Sequence, residues 1–146
     1  MKVRLRSLAI PVLLGLFTMG CGDDDPVDPG NGDPAPDLSG TYTLISIVGV
    51  VTGGMELGPA DGVTGTFTLT QTIAGDPASG TYEVSLVLPG GAFQDEGTYQ
   101  NELDGFWSQS GNLQQGLGTY AIVANRLTVN VTDPVTASSS SLWQKQ

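Results

Sequence analysis

The chain has 146 residues, 15 acidic and 5 basic, for a formal charge of −10, with 21 Gly, 9 Pro, one Cys and no His. Without His there is no Ser-His-Asp triad, no Cys-His pair and no zinc site of the usual ligand sets, and a lone Cys forms neither an internal disulfide nor a CxxC redox pair. So few basic groups among so many acids argue against binding nucleic acid or an anionic membrane surface, because neutralising phosphate takes Lys and Arg.

Lys2, Arg4 and Arg6 open the chain, followed by the uncharged stretch Leu8–Phe17 and then Thr18-Met19-Gly20-Cys21. A basic start, a short apolar core and a small residue before the cut describe a secretory signal peptide. The core is half the length of a spanning helix, which needs about twenty apolar residues. A cysteine directly after Gly20 resembles the bacterial lipobox, with Thr18 and Met19 where that pattern prefers Leu and then Ala or Ser. The resemblance implies that Cys21 is acylated and becomes the mature N-terminus, an anchor to the membrane and not a nucleophile. An exposed free thiol on a secreted protein would be a reactive liability, which acylation removes. Gly22, where an Asp would retain many Gram-negative lipoproteins in the inner membrane, resembles the sorting pattern for the outer membrane. Asp23-Asp24-Asp25 is similar to the acidic export signal of some surface lipoproteins. The implied location is the bacterial cell envelope, facing the periplasm or the outside.

The segment 22–37 holds six Asp and four Pro, with Val27 its only sizeable apolar side chain, and reads as a linker. Like charges repel, proline removes helical options, and nothing here offsets the ordering entropy. Its aspartates lack the DxDxDG spacing and distal Glu of a calcium loop. The expected organisation is a signal peptide over 1–20, lipidated Cys21 with its linker over 21–37, and one domain over 38–146.

From Leu38 the chain reads as strands. In Val63–Thr72 the residues Val63, Phe67 and Leu69 alternate with Thr64, Thr66, Thr68 and Thr70, and in Gly80–Leu88 the residues Tyr82, Val84, Leu86 and Leu88 alternate with Thr81, Glu83 and Ser85. A period of two marks a half-buried strand. Further strands are predicted over 41–51, 97–102, 105–109, 117–123, 126–132 and 138–146, with short turns at 75–77, 89–91, 104–105, 111–112, 124–125 and 133–134. Short successive connections make neighbours in sequence pair in space. The expected fold is therefore all-β, an eight-stranded antiparallel up-and-down barrel whose closure removes exposed edges. The long piece 52–62 leaves a β-sandwich as the alternative.

Gly-Thr-Tyr recurs at 40–42, 80–82, 97–99 and 118–120, with Gly-Thr-Phe at 65–67, at spacings too unequal for a strict repeat. The expectation is that glycine permits a sharp start to each strand, Thr faces water, and the rings of Tyr42, Phe67, Tyr82, Tyr99 and Tyr120 point inward. They would serve as core or line a ligand site, together with Leu69, Val84, Leu86, Ile122, Leu127, Val129 and Val131.

Leu38-Ser39-Gly40-Thr41-Tyr42 at the opening and Leu142-Trp143-Gln144-Lys145 at the close resemble the small lipocalin-like lipoproteins of bacteria. The resemblance implies a lipocalin-like barrel holding a small apolar or amphipathic molecule in its mouth. Larger lipocalins pack a late-strand Arg over a Trp at the position of Tyr42, a part that falls to Arg126 here.

Glu83, Asp95, Glu96, Glu102 and Asp104 are the acids to weigh as a glycosidase pair. Glu83 lies on the solvent phase of its strand, Asp95 and Glu96 read as turn residues, and Asp104 belongs to an Asp-Gly turn. Ser108 lacks the GxSxG elbow, and there is no Gly-rich phosphate loop, so no enzyme, cofactor or metal is expected. Ile45, Ile47, Val51, Trp107, Ala121 and Val123 fall on the outward phase, and Trp107 is the residue expected to meet an envelope protein partner. Two functions follow: a lipid-anchored binding module for a small apolar or amphipathic ligand, or a surface interaction, inhibitor or structural envelope lipoprotein with a filled barrel.

Overall fold

The computed structural model describes residues 33–146. The expected signal peptide, the lipidated Cys21 and most of the linker lie outside the described residues. Eight strands follow in chain order: β1 (Gly40–Gly49), β2 (Thr64–Ile73), β3 (Ala78–Leu88), β4 (Gly91–Asn101), β5 (Phe106–Gly111), β6 (Gln115–Val123), β7 (Arg126–Asp133) and β8 (Ser139–Lys145). Each pairs antiparallel with the next, and β8 returns to β1 from Tyr42↔Lys145 to Gly49↔Ser139, closing the barrel. The predicted all-β meander barrel is thus the observed fold, and the sandwich is excluded by the closing pair. Short 3-10 turns at Val50–Thr52, Pro59–Asp61 and Val135–Ala137 punctuate the loops.

The β2–β3, β4–β5, β6–β7 connections and both chain ends of the barrel lie at one end, where residues 33–39 also run. The β1–β2, β3–β4, β5–β6 and β7–β8 loops lie at the other. The expected linker boundary at residue 37 shifts, because Ala35 is buried and its N–H donates to the Gly75 carbonyl at 2.8 Å. Leu38 is fully buried, so the end of the acidic segment works as a strap that plugs this end.

Inside, one aromatic cluster fills the barrel. Tyr99 stacks on Trp107 with centroids 5.1 Å apart and planes 10° off parallel. Phe67 lies 5.2 Å from Trp143, 6.0 Å from Tyr82 and 6.3 Å from Trp107, and Tyr120 lies 6.4 Å from Trp107. These separations fall in the range where aromatic pairs gain beyond their buried area.

The repeated glycines act through closeness more than through backbone freedom. Among the four Gly-Thr-Tyr glycines only Gly40 has a positive φ. Gly80 pairs with Tyr99 and Tyr82 pairs with Gly97, so two of the repeats face each other and each ring lies across from the other's glycine. A Cβ on Gly80 would stand 2.8 Å from Tyr99 Cε1. Gly118 likewise faces Trp107, and a Cβ there would overlap the Asn130 carbonyl.

Three expectations of facing are corrected. Trp107 is fully buried and is no partner surface: the Glu102–Gly105 turn sets it opposite Asn101, and directly paired residues share a face. Ile47 is buried because a bulge between Leu44 and Ser46 shifts the phase of β1. Ile122, expected inside, is 41% exposed one residue before the end of β6, while Leu127 paired with it on β7 is fully buried. Replacing Trp107 with Ala is expected to cost about 3–5 kcal/mol, as for a core aromatic. Urea unfolding monitored by circular dichroism measures it, and a cost below about 0.5 kcal/mol would mark a surface residue instead.

Candidate functional site

The five rings expected to face a ligand, Tyr42, Phe67, Tyr82, Tyr99 and Tyr120, share one buried cluster, but they divide between the two ends of the interior. At the strapped end Tyr42 donates to the Leu38 carbonyl at 2.7 Å and Tyr120 to the Glu102 carbonyl at 2.7 Å. Asn101 Nδ2 donates to the Pro36 carbonyl at 3.0 Å, and Gln71 N–H donates to Ser39 Oγ at 2.8 Å. The Tyr99 hydroxyl, Asn101 Oδ1 and Gln71 Oε1 are buried here without a partner. Lys145 Nζ stands 5.8 Å from the Tyr42 ring centroid, while Arg126 is exposed. The cation over the Tyr42 ring is Lys145 and not the expected Arg126, because Tyr42 and Lys145 are directly paired across the closing strands.

At the other end the interior narrows to a cavity of about 70 Å³ lined by Phe67, Tyr82, Gln109, Gln114, Ser141 and Trp143, among others. A water takes about 30 Å³ of liquid volume, whereas sites for drug-sized ligands run from about 300 Å³ upward. Trp107 Nε1 donates to Gln109 Oε1 at 3.0 Å and Trp143 Nε1 to Ser141 Oγ at 2.8 Å, so both indole N–H groups are satisfied inside the wall. Of the five predicted rings, Phe67 and Tyr82 line this cavity.

Asp95, expected in a turn, is instead an inward residue of β4 and the only buried carboxylate among the described residues. It accepts the Tyr82 hydroxyl at 2.8 Å, Leu113 N–H at 2.9 Å and Gln114 N–H at 3.2 Å. Gln114 Nε2 then donates to the Ala137 carbonyl at 3.3 Å. The carboxylate thus latches the β5–β6 loop over the cavity and ties it to the β7–β8 loop. Gly111 makes room for the latch, since a Cβ there would collide with Asp95 Oδ2 and Tyr82 Oη. Sequence reading misses Asp95 because Asp95 and Glu96 read as turn residues, with the strand expected only from Gly97. The strand signal was there in the alternation of Phe93, Asp95, Gly97 and Tyr99 with Gln94, Glu96 and Thr98.

Glu83 and Glu96 also lie on β3 and β4, directly opposite each other with their side chains on the outer face. They line a groove of about 570 Å³ with Thr66, Thr68, Gln94 and Leu113, and the groove reaches Asp95 past the end of β5. Glu102 and Asp104 belong to the β4–β5 connection at the strapped end. No group of three or more metal-ligating side chains occurs among the described residues.

Burial pushes the Tyr99 hydroxyl up to about 12, with the charge of Asp37 and neighbouring Tyr42 adding to it. Burial also raises Tyr82, reinforced by its hydrogen bond to Asp95, and raises Tyr42 and Tyr120.

No protein-family model matches the chain, and no curated protein matches its sequence. The fold and site define the class: a closed eight-stranded antiparallel meander barrel with an aromatic core and one latched end, compatible with ligand-binding barrels of the lipocalin kind.

Two outcomes are expected. Tyrosines that hold their protons to higher pH in the fold than in the unfolded chain contribute stability that is full below about pH 10 and is lost as pH climbs through the folded values. Chemical unfolding between pH 8 and 12, with tyrosinate absorbance followed in parallel, should show stability falling only on the alkaline side. Asp95→Asn turns an acceptor of three donors into a group with its own N–H, and should cost about 1–3 kcal/mol. Hydrogen exchange should then quicken at the Leu113 and Gln114 amides before any change in β1 or β2.

Proposed function

We propose that this protein is a lipid-anchored cell-envelope lipoprotein whose filled barrel works from its outer surface, as an interaction or structural component and not as a carrier. The observation that supports this most is the interior volume: about 70 Å³ holds a few waters and no fatty acid or comparable amphipathic molecule. The wall cannot widen cheaply, because its inward glycines are occupied by the rings and side chains of neighbouring strands.

Support for the anchor is the basic start, the apolar stretch Leu8–Phe17 and Cys21 after Gly20. The described chain joins the barrel at its strapped end, so the tether attaches there and the latched end is free to meet other molecules. The latched end carries Val50, Val51, Met55, Val87, Leu113 and Val135, all exposed, and the strapped end carries Ile73, Leu103, Ile122 and Val123. Exposed apolar side chains at the latched end suit a contact surface.

The rival reading, a carrier of a small apolar or amphipathic ligand, predicts a bound molecule. Native mass spectrometry of the mature protein from its own host separates the two. The filled-barrel reading expects the bare acylated mass, with no uptake of palmitate or an apolar dye. A discrete adduct that leaves on denaturation overturns it and names the ligand class. In the same preparation the acyl mass should vanish in Cys21→Ser, and its persistence would refute the anchor.

A further inference from the structure

The ladders around the barrel are unequal in length, and one leaves an open edge. β4 runs from Gly91 to Asn101, but its pairing with β5 spans only Gly97↔Gly111 to Asn101↔Trp107. The last contact is Asn112 N–H donating to the Glu96 carbonyl at 3.0 Å. In an antiparallel strand the backbone groups of alternate residues point to the same side. Since Glu96 directs its carbonyl toward β5, Gln94 and Ala92 point their N–H and C=O that way too, beyond the end of β5. Both residues are exposed, and among the described residues nothing pairs with that side of them.

The corresponding stretch of β1, where it outruns β2, is covered. Leu57 folds back and exchanges both backbone hydrogen bonds with Ile47, each at 2.9 Å. Among the described residues nothing comparable covers β4. Exposed edges are ordinarily guarded by a charge, a proline or a bulge. Here the edge over Gly91–Asp95 has no proline and no bulge, and its one charge, Asp95, is turned inward and held by Tyr82, Leu113 and Gln114.

The groove beside this edge supplies a second observation. Glu83 and Glu96 face each other directly across β3 and β4, an arrangement that is destabilising when left uncompensated. The only basic side chains in 33–146, Arg126 and Lys145, pair at the strapped end, opposite Val123 and Tyr42. The described residues therefore leave an acidic pair beside an unpaired strand and offer it no cation; Asn112 Nδ2 donates to Glu96 Oε1 at 3.3 Å, a neutral partner that leaves both charges in place.

We propose that the β4 edge over Gly91–Asp95 accepts an extended basic segment of another protein, which adds as an antiparallel strand and places a Lys or Arg beside Glu83 and Glu96. This names the partner chemistry of the interaction reading above and rests on it. Backbone bonds to Ala92 and Gln94 give the added strand its hold. A residue of that strand opposite Gln94 points outward, diagonal to Glu96, within reach of a long cationic side chain. A second copy of this chain would bring another acidic surface to the same groove, as would the Asp-rich segment 22–32. Charge therefore selects a foreign basic strand.

The test uses the full mature protein and three synthetic probes: a Thr/Val octapeptide with two outward Lys, the same peptide with two outward Glu, and the Lys peptide N-methylated along one edge. Hydrogen exchange is read residue by residue. The Lys peptide should slow exchange at Ala92 and Gln94 by at least about tenfold. It should bind about three- to tenfold more tightly than the Glu peptide at low salt, with the difference shrinking as salt rises. Glu83→Gln with Glu96→Gln should abolish the preference and keep the binding, and the N-methylated probe should fail. Ala92→Pro, which removes the free N–H, should weaken all probes.

No protection at Ala92 and Gln94 with any probe overturns the proposal. So does protection by the protein alone with a dimer mass in sedimentation, since the occupant is then a second copy. Equal binding of Lys and Glu peptides overturns the basic assignment. None of these results touches the interaction reading itself, which falls only to a ligand adduct in native mass spectrometry.

Discussion

The structure depends on the closeness of aromatic rings to glycines in the facing wall. Tyr99 lies across from Gly80, Tyr82 across from Gly97, and Trp107 across from Gly118, so rings occupy space that side chains would otherwise hold. That arrangement draws Phe67, Tyr82, Tyr99, Trp107, Tyr120 and Trp143 into one cluster and brings the walls near enough to exclude a sizeable cavity. Eight strands are the smallest number commonly able to leave room for one ligand. Whether they do is decided by the side chains that point in, and here bulky rings fill the space.

The two ends of the barrel are closed by different chemistry. At one end a strap of chain is stitched down by backbone carbonyls at Pro36 and Leu38 that accept from Asn101 and Tyr42. At the other a single buried carboxylate, Asp95, holds a loop by its backbone N–H groups. A buried carboxylate is tolerated only when its lone pairs are satisfied, and three donors do so here. Closing the loop inward with Asp95 also ends β5 early, since the chain leaves the ladder after Gly111. The latch and the unpaired edge of β4 are therefore two consequences of one turn. This links a stabilising feature inside the barrel to an open strand edge outside it.

Charge is separated along the barrel. The acidic groove lies toward the end away from the strap, whereas Arg126 and Lys145 lie at the strapped end. Exposed apolar side chains occur at both ends, with Val50, Met55, Leu113 and Val135 at one and Ile73, Leu103 and Val123 at the other.

Much was legible in the residues themselves. Alternation in Val63–Thr72 and Gly80–Leu88, with turn residues at short intervals, determined strands, their order and the antiparallel meander, because period-two burial and short connections leave few other arrangements. The inward placement of Tyr42, Phe67, Tyr82, Tyr99 and Tyr120 followed from the same period. Position along the chain could not determine register. A bulge after Leu44 turned Ile47 inward, and the Glu102–Gly105 turn turned Trp107 inward, since a one-residue shift exchanges the two faces of a strand. Asp95 became a latch, Lys145 came to lie over Tyr42, and residues 91–95 of β4 lost their neighbour only once distant strands of unequal length were brought together. Local sequence carries the period of a strand, but which strand outlasts its partner is a property of the pair.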